Sequence, residues 1–306
     1  MAEAVPRRAA VLGHPIAHSL SPTLHRAAYR WLGLEWSYQA IDVETGGLAA
    51  FLDGLDDSWV GLSLTMPLKE TVLDLLDDVE PLALAVRSVN TVLFVRGGRA
   101  GRNTDVAGLV AVLHEHKTGV ARSATVLGSG ATARSALAAL VALGVPTISV
   151  CARHPNQARD LPDLAVDLAA GHGEASQPHV EVLPWDALER LLDVDVVVST
   201  VPAGVTDALA GRLPGAALGE RPAPGLLVDV VYDPWPTDLA LAWRAAGGAV
   251  AGGLDMLVHQ AHEQIRLMTG RDVPVSVLRE AGESELGRRL HADGGRSRGA
   301  AGRPKQ

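Results

Sequence analysis

Val126-Leu127-Gly128-Ser129-Gly130-Ala131-Thr132-Ala133 is the stretch from which the fold can be read. The apolar, largely β-branched run from Ala124 to Leu127 reads as a buried strand that passes straight into Gly-x-Gly-x-x-Ala. An Ala/Leu-rich helix follows from Arg134 to Leu143, stopped by Gly144, and then a second strand over Thr147 to Cys151. Strand, glycine turn, helix and strand in this register make one βαβ unit of the length expected of a dinucleotide-binding fingerprint. Gly128 permits the tight turn, Gly130 lets backbone approach a pyrophosphate, and Ala133 allows the helix to pack closely on the sheet. Free backbone N–H groups at the helix start, around Ser129, Ala131 and Thr132, then face the phosphate charge. The bland alternative is a glycine turn without a ligand, and the register of the flanking elements weighs against it. An acidic residue at the end of the second strand would hold the ribose 2′-hydroxyl of NAD, but this chain has Ala152-Arg153 there. A guanidinium suits a 2′-phosphate, so the expected cofactor is NADP.

The bulk composition agrees with this start. The chain has 306 residues, room for two domains, and 47% of them are apolar with few aromatics, which suits helices packed on a parallel sheet. A net charge of −8 argues against nucleic acid as a partner, so anionic ligands must be held by local groups. The single cysteine, Cys151, leaves no internal disulfide and no thiolate zinc site, and reads as a buried apolar residue. Met1 to Arg8 lack the apolar core of a signal peptide and no apolar run is long enough to span a bilayer, so a soluble cytoplasmic protein is expected.

Upstream, Ala9 to Leu12 reads as a strand, and Ser19-Leu20-Ser21-Pro22 as a helix start with Ser21 as N-cap. Apolar residues at Leu24, Ala27, Ala28, Trp31 and Leu32 give that helix its period, and Gly33 ends it. Strands over Trp36–Val43 and Trp59–Thr65, with helices over Leu48–Leu55 and from Met66 through Leu76, make an α/β unit of its own. Ser88 to Val95 with a Gly97-Gly98 turn reads as a hairpin, and Val106 to His114 as a helix bridging to the nucleotide unit. Downstream, the polar stretch Gly171–Pro178 reads as a loop, Val180–Leu183 as a strand and Trp185–Leu192 as a helix. Two further strands are expected, Val194–Thr200 and Leu226–Val231, the latter closed by Tyr232-Asp233-Pro234. After a helix over Asp238–Ala246 and a return at Ala249-Val250, a helix over Asp255–Thr269 leads back to the first unit, and 291–306 read as a disordered tail.

Several polar residues have both a bland and a functional reading. Ser21 is accounted for as an N-cap and Ser19 is not; Asp105 could be no more than a cap ahead of an apolar helix. Lys69 resists the bland reading better, because a cation in the first turn of a helix opposes the macrodipole. Gln260 could simply occupy an exposed helical position. The histidine pairs His14/His18 and His259/His262 lack a third ligand, and no metal is expected.

Taken as a set, Ser19-Leu20-Ser21-Pro22, Thr65-Met66-Pro67-Leu68-Lys69, Val89-Asn90-Thr91, Asn103-Thr104-Asp105 and Gly253-Leu254-Asp255-Met256-Leu257-Val258-His259-Gln260 closely resemble the shikimate dehydrogenase family. The order of these motifs around the glycine turn agrees with that family from about Ala9 to about Leu278. The resemblance implies two α/β domains with a cleft between them. A discontinuous substrate domain would be formed by 1–104 with 254–290, and a Rossmann-type NADP domain by 105–253. It also implies reversible NADP-dependent reduction of 3-dehydroshikimate to shikimate, in aromatic amino-acid biosynthesis, by a monomer or homodimer. By position, Ser19 and Ser21 would hold the substrate carboxylate, and Thr65, Asn90, Asp105, Tyr232 and Gln260 its hydroxyls. Lys69 would be the acid/base, with Asp105 as its partner. The cofactor would meet Gly128, Ser129, Gly130, Ala131, Thr132, Ala152, Arg153, His154, Gln157, Thr200, Val230 and Gly253. Elementary chemistry is compatible, since hydride addition to a ketone leaves an alkoxide that an ammonium paired to a carboxylate can stabilise and protonate.

Some positions depart from the family pattern. Ser63 stands where asparagine is common, and Ala131 replaces a frequent glycine. Ala152-Arg153-His154 replaces Asn-Arg-Thr, and Gln157 takes the place of a second arginine, for which Arg159 is the nearest substitute. Two rivals follow. One is a quinate/shikimate or aminoshikimate dehydrogenase of broader specificity. The other is a non-catalytic NADP-binding regulator, which would need neither Lys69 nor Asp105.

Overall fold

In the computed structural model, which describes residues 6–96, 98–116, 121–171, 177–187, 193–213 and 225–300 (side chains to 292), alternation of strand and helix begins at once. The first unit runs β1 (Arg8–Gly13), α1 (Ser21–Leu32), β2 (Ser37–Asp42), α2 (Leu48–Asp53), β3 (Trp59–Leu64), α3 (Leu68–Thr71), β4 (Asp78–Val79), α4 (Pro81–Ala85), β5 (Thr91–Val95) and β6 (Gly98–Arg102). Its sheet has the order β2-β1-β3-β5-β6-β4, with β1 parallel to both neighbours and β5 antiparallel to β3 and β6. The expected hairpin is thus present.

Two readings of this region are corrected. Helix α1 begins at Ser21, with Leu20 as its N-cap and no side-chain cap. Pro22 has no N–H to satisfy, and the Leu20 carbonyl already accepts from the amides of Thr23 (2.9 Å) and Leu24 (3.2 Å), so the Ser21 hydroxyl is not spent on capping. The helix expected from Met66 through Leu76 is a single α turn, α3, followed by a 3-10 turn over Val72–Leu75, too short for a macrodipole argument about Lys69. The two-residue β4 and one-turn α4 carry too little periodicity to be read from sequence.

Helix α5 (Asp105–Glu115) then leads into β7 (Ser123–Leu127), α6 (Ala131–Ala142), β8 (Thr147–Ala152), α7 (Leu161–Gly171), β9 (His179–Pro184), β10 (Val196–Ser199), α8 (Asp207–Ala210), β11 (Leu226–Asp229), α9 (Asp238–Ala245) and β12 (Ala249–Ala251). These strands form an all-parallel sheet in the order β9-β8-β7-β10-β11-β12. That is the doubly wound order of a Rossmann sheet, whose direction of winding reverses between β7 and β10. Both faces of the inner strands β7, β8, β10 and β11 are buried, which is why these read as apolar runs. Val126, Val150, Val198 and Val228 pack toward Leu109, Leu137 and Leu161. Leu127, Cys151, Val197 and Leu227 pack toward Leu239 and Trp243. Burial pushes the Cys151 thiol up to about 11, in keeping with an inert core residue. Parts of the Gly171–Pro178 loop and of the Trp185–Leu192 helix lie outside the described residues.

Helices α10 (Gly253–Thr269) and α11 (Val275–Ala300) return to the first unit, where Val258, Ala261, Ile265 and Leu278 share a core with Leu24, Ala28 and Leu32 of α1. Helix α11 runs as far as Ala300, into the stretch read as a tail. Residues 301–306 lie outside the described ones. Among the described residues no helix is long and apolar enough to cross a membrane.

One buried base makes stability depend on pH. His25, on α1, is fully buried and stacked on Tyr38, with ring centroids 3.9 Å apart. Burial, opposed by a hydrogen bond with Gln264, pushes its pKa down from 6.5 to about 3. The unfolded chain therefore takes up this proton well above the pH at which the folded chain does, and stability falls as pH drops below 6.5. Each pH unit in that window costs about 1.4 kcal/mol, so the contribution lost by pH 5 is about 2 kcal/mol. Urea unfolding at pH 7 and pH 5 should show that excess loss in the wild type but not in His25→Asn. Equal losses in both proteins would contradict it.

Candidate active site

The residues singled out in the first unit meet at one cavity of about 280 Å³. Ser19 and Ser21 come from the β1–α1 loop and the first residue of α1, Thr65 follows β3, Lys69 is on α3, and Asn90 immediately precedes β5. Asp105 opens α5, Tyr232 follows β11, and Gln260 reaches in from α10. All eight proposed substrate contacts line the same wall.

At its centre, Lys69 Nζ donates to Asp105 Oδ2 at 2.6 Å, with the two side chains only 13% and 4% exposed. Asp105 is not the N-cap; Thr104 holds that position, and Asn103 Oδ1 accepts the Val106 amide instead. The carboxylate is thereby free for the lysine, and its second oxygen accepts from Asn90 Nδ2 at 2.8 Å. Asn90 Oδ1 accepts from the Thr104 amide at 2.8 Å, and since that amide can only donate, the orientation of the Asn90 carboxamide is determined. Gln260, 7% exposed, donates to the Leu257 carbonyl and turns Oε1 toward Asn90 Nδ2 at 3.5 Å, which corrects the simple exposed-helix reading. Hydroxyls gather elsewhere on the wall. The Ser21 amide donates to Ser19 Oγ at 3.3 Å. Burial raises the Tyr232 pKa, opposed by a hydrogen bond from the Leu20 backbone, so the phenol stays protonated and able to donate.

A second cavity, of about 220 Å³, lies just beyond the ends of β7 and β10, where the winding reverses. Gly128, Ser129, Gly130, Arg153, His154, Gln157 and Thr200 line it. Gly128 has φ +119°, and a Cβ there would stand 2.4 Å from Thr200 Oγ1. Nothing lies within 4 Å of a Cβ placed on Gly130, which leaves open space at the N-terminus of α6. Among the described residues the Arg153 and His154 side chains have no ion-pair partner, and both are exposed. Open glycine backbone, a helix N-terminus and an unpaired guanidinium fit a dinucleotide with its phosphates. Thr132, Val230 and Gly253 line the first cavity, so the start of α6 stands between the two. Ala131 and Ala152 line neither: Ala131 is the first residue of α6, and the Ala152 side chain is buried in the core beneath the sheet. Arg159 is exposed and is not on the wall, where Gln157 stands.

Three of these histidines face a carboxylate, His14 Asp42 at 2.6 Å, His259 Glu115 at 3.1 Å and His262 Asp272 at 3.1 Å, while His18 lines the first cavity. No group of three metal-ligating side chains is present among the described residues. Sequence reasoning missed Gln264 and His18 in the first cavity and Trp185 in the second. Gln264 had one signal, a second amide four residues after Gln260 on the same helical stripe.

Comparison with known proteins places these sites in context. The model of the shikimate dehydrogenase substrate binding domain matches residues 11–92, and that of the shikimate 5′-dehydrogenase C-terminal domain matches 253–281. The NADP-dependent shikimate dehydrogenase of Methanothermobacter thermautotrophicus is 36% identical over 282 residues, covering 91% of this chain and 96% of that protein. Among solved structures, shikimate dehydrogenase of Mycobacterium tuberculosis superposes with a TM-score of 0.81 at 38% identity, covering 91% of this chain and 100% of that one. The enzyme of Thermus thermophilus, solved in complex with NADP(H) and shikimate, gives 0.76 at 34% identity, covering 91% and 99%.

Proposed function

The chain belongs to the shikimate dehydrogenase family, and from this we propose that it catalyses the reversible, NADP-dependent reduction of 3-dehydroshikimate to shikimate. The observation that carries the reading is the buried Lys69–Asp105 pair, 2.6 Å apart, on a cavity wall shared with Thr132, Val230 and Gly253. When bound, NADPH would supply the hydride. Lys69 has three N–H donors, one committed to Asp105, which leaves two for the ring oxygen. As the carbonyl carbon gains hydride, negative charge develops on that oxygen, and Lys69 stabilises it and then gives it a proton. Asp105 holds the ammonium in direction.

Placement supports the remaining roles. Ser19 and Ser21 present hydroxyls to the substrate carboxylate, while Thr65, Asn90, Asp105, Tyr232 and Gln260 hydrogen-bond the ring hydroxyls. Gly128, Ser129, Gly130, Ala131 and Thr132 offer backbone to the pyrophosphate, and Arg153, His154 and Gln157 meet the 2′-phosphate. Residues 1–104 with 254–290 form the substrate domain and 105–253 the nucleotide domain, in a cytoplasmic monomer or homodimer acting in aromatic amino-acid biosynthesis. Absorbance of NADPH at 340 nm, with shikimate and quinate each offered alongside NADP and NAD, tests this. Turnover of shikimate with NADP is the expected result. Preference for quinate would replace the substrate, and binding of NADP without turnover of either would leave only the regulator.

A further inference from the structure

Behind the Lys69–Asp105 pair lies a buried polar network that the proposed chemistry leaves unused. Gln264, on α10, is 1% exposed and borders the substrate cavity. Its Nε2 donates to the Asn90 carbonyl at 3.1 Å and to Thr91 Oγ1 at 3.0 Å. A carbonyl can only accept, so the orientation of the amide is determined and its Oε1 must face donors. It does: Ser63 Oγ donates to it at 2.7 Å, and His25 Nε2 stands 3.3 Å away. Ser63 in turn accepts from the Tyr38 hydroxyl at 2.6 Å. The other side of the network leads to the reacting groups. Thr91, having accepted from Gln264, donates to Asn90 Oδ1 at 2.9 Å. Asn90 then donates to Asp105 Oδ1 at 2.8 Å, and Asp105 Oδ2 accepts from Lys69 at 2.6 Å.

We propose that Gln264 is a positioning residue for the reaction, holding the Asn90 backbone and, through the Thr91 hydroxyl, the Asn90 carboxamide so that Asp105 stays aimed at Lys69. It grips Asn90 from behind at both its carbonyl and its side-chain oxygen, while Thr104 grips that oxygen from α5. Without Gln264 the segment between β3 and β5 loses a tie to α10, and the carboxylate is free to turn away from the ammonium. Small misplacements of a proton donor cost about 10- to 100-fold in rate. The inference rests on the roles proposed for Lys69 and Asp105.

Gln264→Leu keeps most of the volume and removes all the hydrogen bonds, and Thr91→Val removes only the relaying hydroxyl. Each is measured alone and combined with Lys69→Ala, with shikimate and NADP as substrates. The expected result is a fall in kcat of about 10- to 100-fold for Gln264→Leu and a smaller fall for Thr91→Val, with KM for shikimate changed less than kcat. In the Lys69→Ala background both effects should vanish, because a residue acting through the pair has nothing left to position. A loss of the same size with and without Lys69, or a kcat within twofold of wild type, overturns the positioning role. If Gln264→Leu does not fold, the Thr91→Val cycle decides by the same criteria. Lys69→Ala with near-normal kcat would instead strike at the roles assigned to the pair itself, an outcome distinct from either.

Discussion

Lys69→Ala lowers kcat for shikimate oxidation by about 10²- to 10⁴-fold, while KM for shikimate moves only a few-fold. The asymmetry follows from where the ammonium acts. Several neutral donors line the cavity and hold the bound ring with or without the lysine, so ground-state affinity survives. In the proposed mechanism Lys69 exchanges a proton with the oxygen whose charge changes during the reaction, and that interaction is strongest in the transition state. The substitution also strands Asp105, 4% exposed, without its counter-charge. Breaking a buried pair from one side costs about 3–5 kcal/mol of stability, so lost activity must be separated from lost folding. The double variant Lys69→Ala/Asp105→Asn removes the stranded charge and should recover stability without recovering turnover. If Lys69→Ala remains folded and keeps near-wild-type kcat, the lysine is not the proton donor.

What could be read in advance was whatever depends on neighbours in sequence. The strands of the second sheet announce themselves because both faces are buried, so Val196 to Val198 needs no alternation to be recognised. The glycine turn is legible for a similar reason: Gly128 owes its identity to a φ of +119° and to Thr200 Oγ1 close against it. Side chains whose partners are far along the chain were not legible in that way. Ser21 resembles a cap until the Leu20 carbonyl is seen to have taken the amides first. Gln264 resembles a solvated helical residue until His25, 239 positions away, and Ser63, 201 positions away, close around it. The pairing of Lys69 with Asp105 spans 36 residues and two helices, and composition could not have supplied it. It was the family resemblance that brought the two together before the coordinates did.

Arg153→Asp reverses the preference for NADP over NAD. Arg153 stands just past the end of β8, at the rim of the cavity that also contains Gly128 and Gly130, exposed and without an ion-pair partner among the described residues. A guanidinium so placed is free to take a phosphate in paired hydrogen bonds. Charge-assisted bonds of this kind contribute about 1.5–3 kcal/mol, and replacing the cation by a carboxylate adds repulsion against a dianion. Affinity for NADP should therefore fall by at least about 10²-fold. The ribose 2′-hydroxyl of NAD carries no charge, and a carboxylate at this position accepts a hydrogen bond from it, so NAD affinity should hold or improve. Since the exposed Arg153 side chain holds no ion pair among the described residues, stability should be unchanged, and the effect can be read as binding. Quenching of the Trp185 fluorescence from the same cavity wall gives both dissociation constants without turnover. An unchanged ratio would mean that the 2′-phosphate is held elsewhere. The exposed Arg159, which lies off the wall in this structure, would then be the next group to test.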